Sequence, residues 1–445
     1  MFVHKSYLTI LCFIIIKKVS IDRGDIRNMI IRRNISNIER FMLFFGRQYP
    51  LNFGFKLDID ISLEEGKVRE TLKHIAMRHP LLFAYQQFAN KPSMDMVFDD
   101  STSVIIKKTE DDSNWETYFL KCITREFDPF SGPLFSLDWR IRNSGSELFF
   151  VFHHAAADGI AAVQFIHDFL LCYNDQELLI PQQPVMPVLY DELKKEIYHG
   201  LAKRPEPEWK KEQPPEPVTY NMPPYKVPEF NLKFFEISSS SLKKILKLAK
   251  STGLSLTSYL GANILKESSL CVPSEKGLSR TIQCPVDFRP YMIEDHKNIV
   301  GIFNGIVKVV CDCSKTVTDI GLQIQKGIRE QRTNLKDIEE YFHFRDSFDN
   351  VPDPESLMMS FPVEPVDYDF SFSNIGKTII QEKYGKCSVS SFYGPVFTAV
   401  NGETVIGLNT TNGVLRMSII YDNAIKNAKA YKLLGDSIER ILGQF

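Results

Sequence analysis

The sequence has 445 residues, of which 44% are hydrophobic, 24% are charged and 33 are phenylalanine. This composition is typical of a globular chain and excludes a disordered or fibrous one. The net charge of −2 lacks the excess of lysine and arginine that binding to a phosphate backbone needs, so we expect no nucleic acid partner.

An apolar run from Leu8 to Ile16 lies between lysines near the N-terminus. It is too short to span a bilayer, and no small-residue cleavage site follows it. We therefore expect no clear membrane span and a cytoplasmic protein. Residues 1–29 are interpreted as an uninformative extension, and Met29 is an alternative start of translation.

Eight cysteines are dispersed along the chain, several of them in apolar runs, which is typical of reduced, buried thiols. Cys311 and Cys313 have the spacing of half a zinc site, but no second Cys or His pair stands at ligand spacing nearby. We expect no metal site and no tightly bound cofactor.

The first predicted strand precedes a predicted helix. Apolar residues occupy every second position from Phe53 to Ile61, which is the period of a half-buried strand. Ser62 and Glu65 have the spacing of a capping box, which predicts a helix that continues until Pro80 stops it.

A hairpin and a second helix are predicted next. Residues 137–141 alternate between apolar and charged, a polar turn follows, and residues 148–152 are uninterruptedly apolar. After Gly159, apolar residues recur at helical spacing. Two adjacent histidines, His153 and His154, therefore lie where a buried strand turns into a helix.

Residues 203–228 are rich in Pro, Glu and Lys, which predicts a stiff linker. The linker divides the chain into a predicted N-terminal lobe, 30–202, and a C-terminal lobe, 229–445. Near the end of the second lobe, Asn412 and Gly413 separate two apolar runs and predict a hairpin.

The segment His-His-Ala-Ala-Ala-Asp-Gly, residues 153–159, carries the residues suited to chemistry. Because side chains alternate along a strand, only one of the two histidines can face a given cavity. A neutral imidazole there can take the proton of a hydroxyl or amine and return it to a departing group. Asp158 can cap the following helix or hold an arginine.

Other interpretations of these histidines remain open. A structural loop with two hydrogen-bonded core histidines also explains the pair. A metal site is a further alternative, since His154 and Asp158 are four residues apart, although the preceding strand and Gly159 do not favour helical geometry. His79, before Pro80, is interpreted as a packing or capping residue.

The segment matches the motif HHxxxDG. With it, the sequence resembles the superfamily of chloramphenicol acetyltransferase, peptide-synthetase condensation domains, alcohol acetyltransferases and polyketide-associated acyltransferases. The plant BAHD branch is disfavoured because its DFGWG segment is absent. Further segments resemble the superfamily in the same order, over about residues 34–440: RHPLL at 78–82, FDPFSGPL at 127–134, VDFRP at 286–290, VGIFN at 300–304 and FSNIG at 372–376.

The resemblance implies an α/β fold with two chloramphenicol acetyltransferase-like lobes, which form a pseudo-dimer with a tunnel between them. His154 would be the general base in that tunnel. The resemblance also implies that Asp158 pairs with Arg289, and that Ser373 and Asn374 are candidates for a substrate or oxyanion contact, although a turn explains them equally. The residues implied to support the site structurally are His153, Asp158, Gly159 and Arg289.

The implied function is transfer of an acyl group from a thioester, on coenzyme A or on a phosphopantetheine carrier protein, to a small alcohol. One alternative is a free-standing condensation enzyme that forms an amide with an amine acceptor between carrier-bound units. Another is a non-catalytic two-lobed binding module. A monomer is expected in each case.

Overall fold

The computed structural model describes residues 29–88, 94–99, 104–143, 145–179, 185–206, 225–293, 299–345, 366–399, 402–423 and 428–444. The predicted N-terminal extension, up to residue 28, and positions 207–224 of the predicted linker lie outside these ranges. The described residues form helices and curled sheets, which confirms the predicted mixed α/β class.

The described strands and helices are named in chain order. The strands are β1 (Ile30–Asn34), β2 (Asn52–Ile59), β3 (Tyr85–Phe88), β4 (Met94–Asp99), β5 (Ile105–Lys108), β6 (Phe135–Arg142), β7 (Gly145–His153), β8 (Phe230–Ile237), β9 (Ser279–Asp287), β10 (Asn304–Asp312), β11 (Phe370–Lys377), β12 (Lys383–Tyr384), β13 (Cys387–Phe397), β14 (Thr404–Thr411) and β15 (Val414–Asp422). The helices are α1 (Asn37–Gly46), α2 (Glu65–Ala76), α3 (Trp115–Ile123), α4 (Gly159–Tyr173), α5 (Lys195–Ala202), α6 (Ser239–Ser251), α7 (Leu256–Cys271), α8 (Val317–Thr333), α9 (Lys336–Phe344) and α10 (Ala428–Leu442).

The predicted strand at Phe53 is confirmed as β2, but it is buried on both faces rather than one. One face packs with α2 and α4, and α3 covers the other. The predicted capping box is wrong, because α2 begins at Glu65 and no side chain caps it. Instead, Glu64 is held by a residue distant in the sequence: its N–H donates to the hydroxyl of Tyr173, at 3.0 Å.

Both predicted hairpins are confirmed. Strands β6 and β7 pair antiparallel, and α4 follows them after the motif. Strands β14 and β15 also pair antiparallel. Asn412 and Gly413 between them have φ values of 52° and 79°, the left-handed conformation that a tight two-residue hairpin turn requires.

The strands form two six-stranded sheets and one small sheet. The first large sheet has the order β12-β13-β2-β7-β6-β5, and the second has the order β10-β9-β11-β14-β15-β8. Strands β12 and β13 come from the C-terminal half of the chain, yet β13 pairs with β2 in the first sheet. The division of the chain at the linker does not anticipate this exchange.

The exchanged strand β13 also joins the two large sheets. The side-chain amide of Asn409, on β14, donates to the carbonyl oxygens of Phe392 and Gly394, at 3.2 and 2.6 Å. The hydroxyl of Ser418, on β15, donates to the carbonyl oxygen of Pro395, at 3.0 Å. An apolar cluster with side chains from both sheets lies beside these bonds.

The cysteines that the structure describes are free thiols, as the sequence predicts, and Cys12 lies outside the described residues. Burial raises the pKa of Cys284 and of Cys311 to about 12, so both stay protonated. Among the described helices, none combines the length and the apolarity that crossing a bilayer requires.

Candidate active site

His153 is the buried histidine of the motif. Its ring Nδ1 accepts a hydrogen bond from the N–H of Ala155, at 3.1 Å. Burial and the neighbouring ring of His154 lower the pKa of His153 to about 3, so it is neutral. The ring lies directly against the backbone of Gly46, where a Cβ would come within 2.1 Å of its Nε2. These contacts indicate that His153 has a structural role in the core.

His154 is the first residue after β7 and lies on the wall of a cavity between the two large sheets, which His153 does not line. The Nδ1 atom of His154 is buried, and the backbone of His154 and of Ala157 lies close enough to affect the ring. The ring packs against both Phe53 and Phe397, at centroid distances of 5.2 and 5.6 Å, and these two phenyl rings stack on each other at 5.1 Å. Because Nδ1 is sealed, Nε2 is the ring atom through which His154 can act on a ligand.

The surroundings of His154 keep its imidazole neutral. Burial lowers its pKa, and the nearby carbonyl groups and the carboxylate of Asp158 oppose that effect without reversing it. A neutral imidazole on the wall of a cavity is the form that can accept a proton from a ligand.

Asp158 and Arg289 form a buried, two-pronged ion pair between the halves of the chain. The guanidinium Nη1 and Nη2 donate to the carboxylate at 3.0 and 3.1 Å. Burial alone would lower the pKa of Arg289, but Asp158 and Asp287 outweigh it and raise that pKa. The arginine is therefore a permanent cation, and the predicted pair is present.

Asp158 also fixes the start of α4. Its side chain accepts the N–H of Ala161 at 2.8 Å, which caps the helix, and the N–H of Phe303 at 2.9 Å. Gly159, the next residue, has little room, since a Cβ there would lie 3.0 Å from the side chain of Ile375. One carboxylate thus ties together the helix, the arginine and a loop of the C-terminal half.

The cavity at His154 has a volume of about 290 Å³. Both Ser373 and Asn374 line the same cavity as His154. The amide of Asn374 is occupied, however: its Oδ1 accepts the N–H of Gly376 at 2.9 Å, and its Nδ2 donates to Thr257 at 3.0 Å. These bonds give Asn374 the turn role and leave Ser373 as the better candidate for a substrate contact.

Several residues of the cavity wall were not predicted from the sequence. Asn304 lies inside the VGIFN segment, and its buried Oδ1 has no partner. Gln283, Ser371 and Glu403 contribute further polar groups. Strand alternation from Ser373 back to Ser371 could have indicated one of them, but the others come together only through the order of the strands in the sheet.

His79 packs between α2 and α4, away from the cavity. Its Nε2 lies 2.8 Å from a carboxylate oxygen of Asp168, and its ring meets that of Phe165 edge-on. Among the described residues, no three side chains of His, Cys, Asp or Glu cluster as metal ligands would.

Comparison of the sequence with family models finds no match, and comparison with curated proteins finds none either. Solved structures do match in fold. TRI3 trichothecene 15-O-acetyltransferase from Fusarium sporotrichioides has a TM-score of 0.67 at 13% identity, covering 93% of this chain and 94% of that one.

Two further structures show the same architecture. Polyketide synthase associated protein 5 from Mycobacterium tuberculosis has a TM-score of 0.62 at 15% identity, covering 92% of this chain and 97% of that one. The condensation domain of the monacolin K polyketide synthase MokA has a TM-score of 0.62 at 11% identity, covering 93% and 97%. The chain therefore has the two-lobed fold that these acetyltransferase and condensation-domain structures share.

Proposed function

We propose that the protein is an acyltransferase that moves an acyl group from a thioester to an alcohol, with His154 as the general base. The observation that carries the proposal is the neutral His154 ring on the cavity wall, with Nδ1 buried and Nε2 left for a ligand. The similarity of the fold to an acetyltransferase and to condensation domains supports the same chemistry.

In the proposed reaction, Nε2 of His154 takes the proton of the acceptor hydroxyl while its oxygen attacks the thioester carbonyl. The tetrahedral intermediate collapses, the carbon–sulfur bond breaks, and the imidazolium returns the proton to the departing thiolate. The ester and a free thiol are the products. No acyl-enzyme is needed, because the acceptor oxygen attacks the thioester directly and one nitrogen both takes and returns the proton.

The developing oxyanion needs positive potential near the histidine. Helix α4 begins at Gly159, which lines the cavity, and the positive end of its dipole, which Asp158 caps, favours negative charge. Ser373 offers a hydroxyl on the same wall. In this proposal Asp158 and Arg289 act as positioning residues that hold the loop, and they do not touch the reacting atoms.

The donor is proposed to be acyl-coenzyme A or an acyl-phosphopantetheine carrier protein, and the acceptor a small alcohol. The test is release of free thiol from a panel of acyl-coenzyme A donors, with and without alcohol acceptors. His154→Ala should lower turnover at least about 100-fold, because it removes the base. The expected result includes a folded variant with an unchanged circular dichroism spectrum.

The matched control is His199→Ala, which removes an exposed histidine on α5 far along the chain from the motif. It should keep wild-type turnover. Equal turnover in His154→Ala and wild type would contradict the proposed mechanism.

An amide-forming condensation enzyme is a second candidate, since the MokA condensation domain matches as well as polyketide synthase associated protein 5 does. Hydroxyl and amine acceptors offered with one thioester separate the two. A binding module is the third candidate: a structure of the same fold is a complex of the teicoplanin X-domain with OxyB. For a binding module, His154→Ala would leave the activity of the protein intact.

A further inference from the structure

Two neighbouring side chains of the second large sheet line the cavity beside Arg289. Asn304 begins β10 and is the antiparallel register partner of Asp287, the last residue of β9. Side chains directly opposite each other in an antiparallel pair point to the same face of the sheet. Both residues line the cavity, and so do Ile306 and its partner Pro285, the next pair on that face. The amide and the carboxylate therefore lie side by side on the cavity wall.

The amide oxygen of Asn304 lacks a partner among the described residues. Its Oδ1 is buried and accepts no hydrogen bond. The opposite face of β10 packs in the core through Val307 and Val309, so alternation along the strand directs Asn304 to the cavity. A buried polar atom without a partner is costly. A ligand with a hydrogen-bond donor can supply the missing partner.

The carboxylate of Asp287 has one engaged oxygen and one free oxygen. Its Oδ1 accepts the backbone N–H of Arg289 at 3.1 Å and the guanidinium Nη1 of the same residue at 3.0 Å. No described residue donates to Oδ2, and 31% of the side-chain surface of Asp287 is exposed. A ligand in the cavity can therefore donate to Oδ2.

The charges around Arg289 do not balance. Its Nη1 donates to both Asp158 and Asp287, at 3.0 Å each. Asp158 accepts a second bond from Nη2 and two more from backbone N–H groups, which together use the capacity of a carboxylate. Arg332, whose Nη2 donates to the carbonyl oxygen of Asp287, has its own carboxylate partner in Asp337, at 3.8 Å. One negative charge is left in excess, and Asp287 carries it.

The shared Nη1 atom of Arg289 also fixes where this charge lies relative to the motif. The accepting oxygens of Asp158 and Asp287 are each 3.0 Å from that nitrogen, so they are at most twice that distance apart. Asp158 follows His154 by four residues, and both line the cavity. A substrate at His154 therefore meets an unbalanced carboxylate and an unpaired amide oxygen in the same cavity.

We propose that Asp287 and Asn304 form a subsite for an ammonium group carried by the acyl acceptor. An ammonium group supplies both a positive charge for the carboxylate and an N–H donor for the amide oxygen. The inference rests on the proposed function, since it specifies which alcohols are used: the acceptor is an amino alcohol. Its hydroxyl oxygen takes the acyl group at His154, and its ammonium group keeps its protons. Asp287 and Asn304 determine specificity and take no part in the proton transfer.

The test compares three alcohols of one chain length with one acyl-coenzyme A donor. They end in a tert-butyl group, which is neutral, in a trimethylammonium group of the same shape, which adds charge, and in an ammonium group, which has charge and N–H donors. In the wild type, kcat/KM should rise in that order, with the amino alcohol about tenfold or more above the neutral alcohol, because a hydrogen bond to a charged group is strong. The product should be an ester that hydroxylamine cleaves. An amide would show that nitrogen is the nucleophile and would overturn the inference.

Two variants separate charge from hydrogen bonding. Asp287→Asn keeps the Oδ1 that accepts from Arg289 and replaces Oδ2 by an amide nitrogen, so the advantage of both cations over the neutral alcohol should fall toward one. Asn304→Leu should remove the advantage of ammonium over trimethylammonium and keep the effect of charge. The control Asp312→Asn makes the same change at the other end of β10, where Oδ1 accepts the N–H of Ser314 at 2.9 Å, and should keep the wild-type ratios. Wild-type ratios in Asp287→Asn or in Asn304→Leu would overturn the inference.

Calorimetry with His154→Ala and the same three alcohols separates this inference from the proposed function. The amino alcohol should bind about tenfold or more tightly than the neutral alcohol, and the double variant with Asp287→Asn should lose this difference. That result supports the subsite even if the wild type shows no turnover. Turnover of all three alcohols without preference would leave the proposed function intact and refute the subsite. Equal binding to an inactive protein would refute both.

Discussion

At the scale of single residues, the two histidines of the motif differ because of what surrounds each ring. His153 is buried and accepts a backbone N–H, whereas His154 lies on the cavity wall with one nitrogen sealed. Alternation along β7 predicts that the rings point apart, and the motif predicts which one is the base. The sequence could not show that Phe397 lies against His154, because that contact depends on a strand from the other half.

The pH dependence of turnover follows from the environment of His154. Burial lowers its pKa below the ordinary value of 6.5, so the ring is unprotonated at neutral pH. We expect kcat/KM to be constant above that pH and to fall tenfold per pH unit only below the lowered pKa. The measurement is kcat/KM between about pH 5 and 8, the range in which histidines titrate. A fall in kcat/KM with its midpoint above pH 6.5 would contradict the proposal that His154 is the base, provided that circular dichroism shows a folded protein throughout.

At the scale of elements, α1 ends in a glycine for a reason of packing. Gly46 is the last residue of the helix, and the ring of His153 occupies the space in which a side chain would lie. Alanine is the better helix former, by about 1 kcal/mol. Steric crowding of the buried ring should outweigh that gain.

Gly46→Ala should therefore lower the free energy of unfolding by about 1–3 kcal/mol, the usual cost of overpacking a core. It should also lower turnover, since His153 adjoins His154, the proposed base. The control is Gly66→Ala on α2, where no atom lies within 4 Å of the added Cβ. That change should raise stability by up to about 1 kcal/mol. Urea unfolding of both variants checks the opposite signs, and equal effects would refute the packing argument.

Elements with a local signal were predicted well, and those that depend on distant contacts were not. Asn412 and Gly413 specify their hairpin because their own backbone conformations do so. The start of α2 was misplaced because Glu64 is held by Tyr173, a residue far away in the sequence. The cavity wall shows the same limit, since Glu403 joins Gln283 only through the order of strands in the second sheet.

At the scale of the whole molecule, the halves of the chain are joined by charge as well as by strands. Asp158 belongs to the N-terminal half and Arg289 to the C-terminal half, and both are buried. Substitutions at this ion pair therefore test whether the two halves of the chain stabilise each other.

Asp158→Asn and Arg289→Met should each lower the free energy of unfolding by about 3–5 kcal/mol, because each removes the buried ion pair, and the partly exposed Asp287 does not replace Asp158 beside Arg289. The double variant should lose less than the sum of the two. The control is Arg69→Met, which breaks the exposed pair of Arg69 with Glu65 and should cost no more than about 1 kcal/mol. Urea unfolding measures all four variants. Additive losses would show that the two groups act independently.

The exchange of β13 has a consequence for how the protein is made. When the N-terminal half leaves the ribosome, β2 has one partner, β7, and the backbone groups of its other edge await β13. An unpaired edge is a template for association with other chains. The nascent chain must therefore protect this edge until the residues up to Phe397 have been synthesised, and only then can the environment of His154 be complete.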